Sequence, residues 1–148
     1  MFRRWNSLFL GHYLPWDGLS NALIAQGYGF QTLSETVEGS MVNYENLDNH
    51  QTGIHDYFKF LKYGFGRATD IVNNHLRRGR INRSEAIDIV NEKDGAYPTT
   101  CLNKPLEEIL GEIDMTVEEF NETCDRFTNR AIFKIDLEGN KVADSEFG

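Results

Sequence analysis

The sequence feature that most constrains this fold is a pair of glycines one residue apart, Gly64 and Gly66, between two helical patterns. A glycine costs a helix interior roughly 1 kcal/mol relative to alanine, so a single helix through both positions is unfavourable. The pair therefore predicts either a break between two helices or a close approach of another segment to the backbone. We expect one helix over residues 54–63 to end there and a second helix to begin at once.

The segment after the glycines carries an amphipathic helical pattern. Arg67 and Asp70 are three residues apart and are therefore neighbours at the helix start. Together with exposed backbone N–H groups at a helix N-terminus, they can hold an anionic or polyhydroxylated ligand. The alternative is a surface ion pair on a kinked helix. The predicted buried stripe comprises Ala68, Ile71, Val72, His75 and Leu76.

Capping signals predict further helices on the C-terminal side. Asn82 with Glu85, and Thr116 with Glu119, have the spacing of capping boxes. Pro105 suits the first turn of a short helix. The positions expected to be buried in that short helix are Leu106, Ile109, Leu110 and Ile113.

Three stretches depart from the helical pattern. Residues 7–14 read as a short buried strand, and residues 30–52 as a long ordered loop with short turns. Residues 133–143 read as a small hairpin or an unfixed tail. The length of 148 residues suits a single domain, residues 1–148. The predicted fold class is mainly α, with room for a short N-terminal strand and a C-terminal hairpin.

Charge is distributed unevenly along the chain. Residues 1–104 hold 11 Lys and Arg against 11 Asp and Glu, whereas residues 105–148 hold 4 against 12. The acidic part argues against a nucleic-acid-binding protein and forms either a solvated face or a docking surface for a basic partner. Residues 59–83 are locally basic, which favours a phosphate-bearing ligand or simply a solvated helix face.

Other classes of protein are excluded by composition. No run approaches the roughly 20 apolar residues of a membrane span, and the start lacks the pattern of a signal peptide. We therefore expect a cytoplasmic protein. Cys101 and Cys124 are 23 residues apart without metal-ligand spacing, so no metal site is predicted.

Two further pairs of residues suit a ligand site. Trp16 and Asp17 precede a helical pattern and can supply a sugar-stacking ring and a hydroxyl acceptor. Alternatively, Trp16 packs in the core and Asp17 caps the helix. Glu38 and His55 can hydrogen-bond a ligand or transfer protons, or they are a satisfied loop carboxylate and a surface imidazole.

Three motifs carry a resemblance to known enzymes. They are Tyr13-Leu14-Pro15-Trp16-Asp17-Gly18, the run KYGFGRATD over residues 62–70, and the run RGRINRSEA over residues 78–86. Together they closely resemble the C-terminal half of the N-acetyl sugar amidotransferases, cytoplasmic enzymes of surface-polysaccharide and flagellin-glycan biosynthesis. The resemblance extends from about Phe9 to about Phe133.

The resemblance implies an α/β PP-loop ATP pyrophosphatase, of which this chain would be the C-terminal helical lobe. Such enzymes use ATP with Mg to convert an acetamido group of an N-acetyl sugar or nucleotide sugar to an acetamidino group. Their ammonia comes from a glutaminase and a cyclase-like partner.

The resemblance also implies a substrate site at the glycine break, without assigning a catalytic residue. Arg67 suits a bidentate contact with a carboxylate or phosphate, and Asp70 suits hydroxyl groups or the orientation of Arg67. Lys62 suits a point charge on oxygens derived from ATP. The implied substrate-binding residues at the break are Lys62, Tyr63, Gly64, Gly66, Arg67, Thr69 and Asp70.

The sequence departs from the family pattern in one important respect. It lacks the Ser-Gly-Gly-x-Asp-Ser type of nucleotide loop and the zinc-spaced cysteine pairs of the N-terminal region. We therefore expect the C-terminal part of a longer amidotransferase, which does not catalyse the reaction or bind ATP alone. The alternative is a docking module for the ammonia-supplying partner, without a substrate site of its own.

Overall fold

The structure, a computed structural model, describes residues 7–135 and 141–143. Its backbone divides into two compact units, Met1–Thr32 and Leu33–Gly148, which are described separately below. The assignment of residues 1–148 to one domain stays a prediction.

The first unit contains a 3₁₀ turn at Leu10–His12 and helix α1 at Gly18–Gln26. Asp17 is the N-cap of α1, where its Oδ2 accepts a hydrogen bond of 3.0 Å from the backbone N–H of Ser20. The prediction of a buried strand over residues 7–14 is wrong, since these residues are exposed. Their backbone donors bond locally, with His12 N–H donating to the Phe9 carbonyl, so the segment coils instead of extending.

The second unit is helical, and the mainly α fold class is confirmed. Besides its helices it contains two short antiparallel strand pairs, β1 with β2 and β3 with β4. In chain order the elements are α2 (Thr52–Tyr63), α3 (Arg67–Arg77), α4 (Arg83–Lys93), β1 (Thr100–Cys101), β2 (Lys104–Pro105), α5 (Leu106–Gly111), α6 (Val117–Phe127), β3 (Phe133–Ile135) and β4 (Lys141–Ala143).

Local signals place several helix ends as predicted, whereas Pro105 is the N-cap of α5 and not its first helical residue. Both capping boxes are present, at Asn82 for α4 and at Thr116 for α6. Gly64, with φ of +78°, ends α2 in the left-handed conformation, and Gly79 follows α3 with φ of +67°. The predicted break between α2 and α3 is therefore confirmed.

The core of the second unit lies where α2, α5 and α6 meet. Leu61 from α2 is 1% exposed and packs with residues of the other two helices. The rings of Phe58 and Phe120 contact edge to face at 5.9 Å. The remaining members of this buried cluster are Leu106, Leu110 and Cys124.

One predicted core residue lies outside this core. Ile113 is 61% exposed, although the helical spacing placed it on the buried stripe. The helix α5 ends at Gly111, and Asp114 then adopts a left-handed φ of +53°. Ile113 consequently lies in a turn, where helical periodicity no longer applies.

The loop before α2 and the two hairpins complete the fold. The predicted irregular loop is confirmed, and Leu33 and Asn43 fix it by a backbone hydrogen bond of 2.9 Å. The β1–β2 hairpin turns at Leu102 and Asn103, which have φ of +51° and +64°, as a two-residue type I′ turn requires. The predicted C-terminal hairpin is confirmed as β3–β4, whereas its turn, residues 136–140, lies outside the described residues.

Gly95 offers a test of the packing behind the glycine break. It has φ of +80°, and a Cβ atom there would lie 2.5 Å from Cε1 of Phe60. Gly95→Ala should therefore lower the free energy of unfolding by the left-handed cost, about 1–2 kcal/mol, plus about 1–3 kcal/mol for overpacking. Urea denaturation measures this difference.

Gly79→Ala is the matched control for this prediction. Gly79 is also left-handed, but a Cβ atom there would meet no described atom within 4 Å. Gly79→Ala should therefore lower the free energy of unfolding only by the cost of the left-handed conformation. Equal losses in the two variants would contradict the predicted clash with Phe60.

Candidate functional site

Arg67, the first residue of α3, forms a two-pronged ion pair with Asp56 of α2. Its Nε donates to Asp56 Oδ2 at 2.8 Å and its Nη2 donates to Asp56 Oδ1 at 3.1 Å. Glu45 Oε2 lies 3.7 Å from Nη1 of the same guanidinium. The hydrogen bonds to Asp56 raise the pKa of Arg67 above its ordinary value, more than burial lowers it. The fork that suits a carboxylate ligand is therefore engaged within the chain.

Asp94, directly after α4, occupies the N-terminus of α3. Its carboxylate accepts hydrogen bonds from the backbone N–H of Gly66 at 2.8 Å and of Ala68 at 3.0 Å. The hydroxyl of Thr69 donates to the same carboxylate at 2.5 Å. The expectation of exposed backbone N–H groups for an anionic ligand is therefore wrong, because a carboxylate of the chain itself takes their place.

Gly66 permits this close approach of Asp94. Its φ of −111° is ordinary, but a Cβ atom at this position would lie 2.5 Å from Oδ1 of Asp94. The two predicted roles for the glycine pair are thus divided between its members. Gly64 makes the break, and Gly66 admits another segment of the chain.

Asp70 is ion-paired with Lys59 of α2. The ammonium of Lys59 also donates to the carbonyl of Gly66 at 3.3 Å and lies 4.6 Å from the ring centroid of Phe65. The charge of Asp70 also acts on Arg67, and its expected role toward ligand hydroxyls or in orienting Arg67 stays a prediction. We call Asp56, Lys59, Arg67, Asp70 and Asp94 the Arg67 cluster.

Lys62, in the last turn of α2, lies beside aromatic rings and does not belong to the Arg67 cluster. Its ammonium is 4.8 Å from the ring centroid of Phe127 and 5.8 Å from that of Phe58. The expected role of Lys62 toward oxygens derived from ATP stays a prediction. Tyr63 is 62% exposed, and its ring contacts that of Phe65 at 6.2 Å.

The cavity beside the Arg67 cluster is small. Its volume is about 10 Å³, and Glu38, Asp56, Arg67 and Asp94 line it together with neighbouring backbone. That volume admits about one water molecule and no sugar. The substrate-binding role of the residues at the glycine break stays a prediction. In this structure Arg67, Thr69 and Asp70 bond to Asp56, Asp94 and Lys59.

A larger cavity, which we call the polar cleft, lies between the loop before α2 and the β1–β2 hairpin. Its volume is about 460 Å³. None of the seven residues predicted between Lys62 and Asp70 is among the described residues that line it. Those lining residues are Leu33, Ser34, Glu35, Thr36, Val37, Glu38, Lys93, Thr100, Leu102 and Asn103.

Glu38 joins the polar cleft to the small cavity, since it lines both. Its Oε1 accepts hydrogen bonds of 2.8 Å from the hydroxyls of both Thr99 and Thr100. Burial raises the pKa of Glu38, but hydrogen bonds from its own backbone and from both threonines outweigh it and hold that pKa below its ordinary value. Glu38 is thus an ionised acceptor at neutral pH, which suits ligand hydroxyls and not proton donation.

The remaining predicted site residues are Trp16 and Asp17 in the first unit and His55 in the second. Trp16 is 69% exposed, and Asp17 caps α1, as one of the two interpretations of Asp17 predicted. The exposed imidazole of His55 hydrogen-bonds Asp56 at 3.1 Å. The described part of the chain contains no group of three or more His, Cys, Asp or Glu side chains arranged to hold a metal ion.

Sequence reasoning singled out Glu38 but missed Asp94, Glu35, Lys93 and Asn103. Asp94 is separated from Gly66 by 28 positions, so no helical or turn spacing relates them. Asn103 stands in a two-residue hairpin loop whose signal, a Leu-Asn pair, is weak compared with Asn-Gly. Gly66 was an indirect signal in the sequence that another segment, here Asp94, approaches the backbone closely.

The capping role of Asp94 is testable by Asp94→Ala. Removal of the carboxylate leaves the donors of Gly66, Ala68 and Thr69 without this acceptor, so the free energy of unfolding should fall by about 1–2 kcal/mol. Urea denaturation measures the change. Asp88→Ala, on the exposed side of α4, is the control, and a loss as large as that of Asp94→Ala would contradict the assignment.

Glu38 predicts a pH dependence of stability. Because its pKa is lower in the folded chain, its stabilisation is present above the unfolded pKa and is lost as the pH falls through the folded value. The stability gap between the native protein and Glu38→Gln should therefore be larger at about pH 7 than at about pH 3. Urea midpoints at both pH values measure it, and a gap that widens on acidification would contradict this assignment.

Comparisons with known proteins indicate the family to which the chain belongs. No helix of the described residues is long and apolar enough to cross a membrane. The comparison with curated proteins gave no match. A family model described as LPS biosynthesis protein WbpG-like, C-terminal domain, matches residues 38–143, which contain the Arg67 cluster and Glu38. Because this match covers more than half of the chain, the chain belongs to the WbpG-like C-terminal domain family of LPS biosynthesis proteins.

Proposed function

We propose that this chain is the substrate-side lobe of an ATP-dependent N-acetyl sugar amidotransferase in glycan biosynthesis. The enzyme would replace the oxygen of an acetamido group by nitrogen from ammonia, which gives an acetamidino sugar. Membership of an LPS biosynthesis family supports a sugar substrate, and the three motifs support the amidotransferase class.

The observation that carries this proposal is the polar cleft. A volume of about 460 Å³ lies within the usual range for small-ligand pockets. The carboxylates of Glu35 and Glu38 suit the hydroxyls of a sugar, and the amide of Asn103 suits the polar atoms of an acetamido group. Leu33 and Leu102 offer aliphatic surface for the acetyl methyl. The lining thus matches a polyhydroxylated acetamido ligand better than a purely apolar or highly anionic one.

The Arg67 cluster would act as the support of this cleft. Asp94, which caps α3, follows Lys93, which lines the cleft, and Glu38 lines both cavities. Arg67 holds Asp56 in the same small cavity. In this proposal Arg67, Thr69 and Asp70 are positioning residues, which fix the loops that contact the sugar.

ATP and Mg would act in the complete enzyme, and we assign them to no residue of this chain. The N-terminus of α3, the expected place for a phosphate, is filled by Asp94. In the amidotransferase, ATP would supply the activation of the acetamido oxygen. Ammonia would come from a glutaminase with a cyclase-like subunit, and the reaction would take place in the cytoplasm.

The second candidate function is a docking module for the ammonia-supplying partner. An apolar groove between α2, α5 and α6 favours it, and this groove shares no lining residue with the polar cleft. The two functions are compatible in one lobe.

Sugar binding is measured by calorimetry with a panel of free and nucleotide-linked N-acetyl sugars. We expect saturable binding that Glu35→Gln and Asn103→Gly each weaken about tenfold, since each removes a polar contact with the ligand. Glycine tolerates the left-handed φ of residue 103, so Asn103→Gly keeps the turn.

Glu107→Gln is the matched control, because this exposed carboxylate on α5 does not line the polar cleft. It should bind the sugar as the native chain does. An absence of binding by the folded chain, or equal weakening by Glu107→Gln, would refute the assignment of the sugar to this cleft.

A further inference from the structure

An apolar groove of about 430 Å³ runs between α2, α5 and α6. Its floor is formed by core residues, among them Leu110 and Phe120, which are 2% exposed. Its edge includes Ile113, which is 61% exposed because α5 ends before it. The lining residues are Gln51, Ile54, His55, Phe58, Ile109, Leu110, Ile113, Met115, Phe120 and Thr123.

The ten described residues that line this groove carry no carboxylate, but the segment that contributes α5 and α6 to it is strongly acidic. Residues 105–125, which form α5, the turn after it and most of α6, contain eight Asp and Glu and no Lys or Arg. Lys104 pairs with Glu108 and Glu112 at one end. Glu118 and Glu122 are exposed on α6. An apolar groove beside an acidic segment favours an occupant with an apolar stripe and positive flanks.

We propose that this groove binds an amphipathic helix of a partner protein, with Lys and Arg beside the apolar stripe. Grooves between helices accept such helices through apolar side chains at positions i, i+3, i+4 and i+7. In this proposal Ile113 and Met115 contact the stripe, and the acidic segment over residues 105–125 attracts its cations.

Charge also argues against two other occupants. A second copy of this chain carries a net charge of −8, and an anionic membrane surface has the same sign as the acidic segment. A membrane would bring like charges together at the groove, and two copies repel each other through their net charge, which opposes association. This proposal does not depend on the amidotransferase function, since the polar cleft is lined by other residues.

The test uses a fluorescein-labelled synthetic helix of about 18 residues, with Leu at i, i+3, i+4 and i+7 and Lys elsewhere. Fluorescence anisotropy with the full chain should show saturable binding that weakens as salt is raised. A peptide of the same composition with the stripe scrambled, and one with Glu in place of Lys, should each bind at least about tenfold more weakly.

Two variants locate the site. Ile113→Glu should weaken binding at least about tenfold, and the charge-reversed Glu118→Lys/Glu122→Lys should reduce both affinity and salt dependence. Ile87→Glu on α4 is the matched control, since Ile87 is 48% exposed and does not line the groove. Thermal unfolding verifies that each variant folds.

Three outcomes would overturn the proposal. The first is equal binding of the scrambled peptide, which would show attraction by charge alone. The second is unchanged binding by folded Ile113→Glu. The third is a dimer in size-exclusion chromatography that Ile113→Glu dissociates while the native chain binds no peptide, since the occupant would then be a second copy.

Discussion

The carboxylate of Asp94 at the N-terminus of α3 is the interaction on which the arrangement of the second unit depends. It joins the end of α4 to the start of α3 by hydrogen bonds to Gly66, Ala68 and Thr69. A helix N-terminus carries unpaired donors and a partial positive charge, so an internal carboxylate there stabilises both segments. The ammonium of Lys59 donates to the carbonyl of Gly66, while Asp94 accepts from the N–H of the same residue. Both backbone groups of Gly66, between α2 and α3, are therefore hydrogen-bonded.

This internal pairing changes how the basic segment after α2 is understood. A guanidinium, an ammonium and a helix N-terminus close together suggest an anion site, but here each has an acidic partner from within the chain. A buried carboxylate such as Asp56 requires such a partner, because an unpaired charge away from water costs several kcal/mol. A separate set of polar groups, among them Glu35, Glu38 and Asn103, lines the polar cleft, to which we assign the ligand in the proposed function.

Features that depend on near neighbours in the sequence were predictable. The capping boxes at Asn82 and Thr116 and the left-handed Gly79 require only residues within one helical turn. The prediction for Ile113 was wrong because helical periodicity was extended past the end of α5. The predicted strand at residues 7–14 was wrong for a related reason, since a strand needs pairing partners that an apolar run by itself cannot supply.

By itself, the sequence determined the mainly α class, the break at Gly64, the end of α3 and the capped starts of α4 and α6, because these follow from backbone conformation and local hydrogen bonds. Only the tertiary structure decided that Arg67 pairs with Asp56, that Asp70 pairs with Lys59, and that residues 33–38 and 100–103 enclose a cleft. Several acidic residues compete for each cation in the sequence. Packing of distant segments selects one of them, because a buried charge is stable only beside the partner that the fold brings to it.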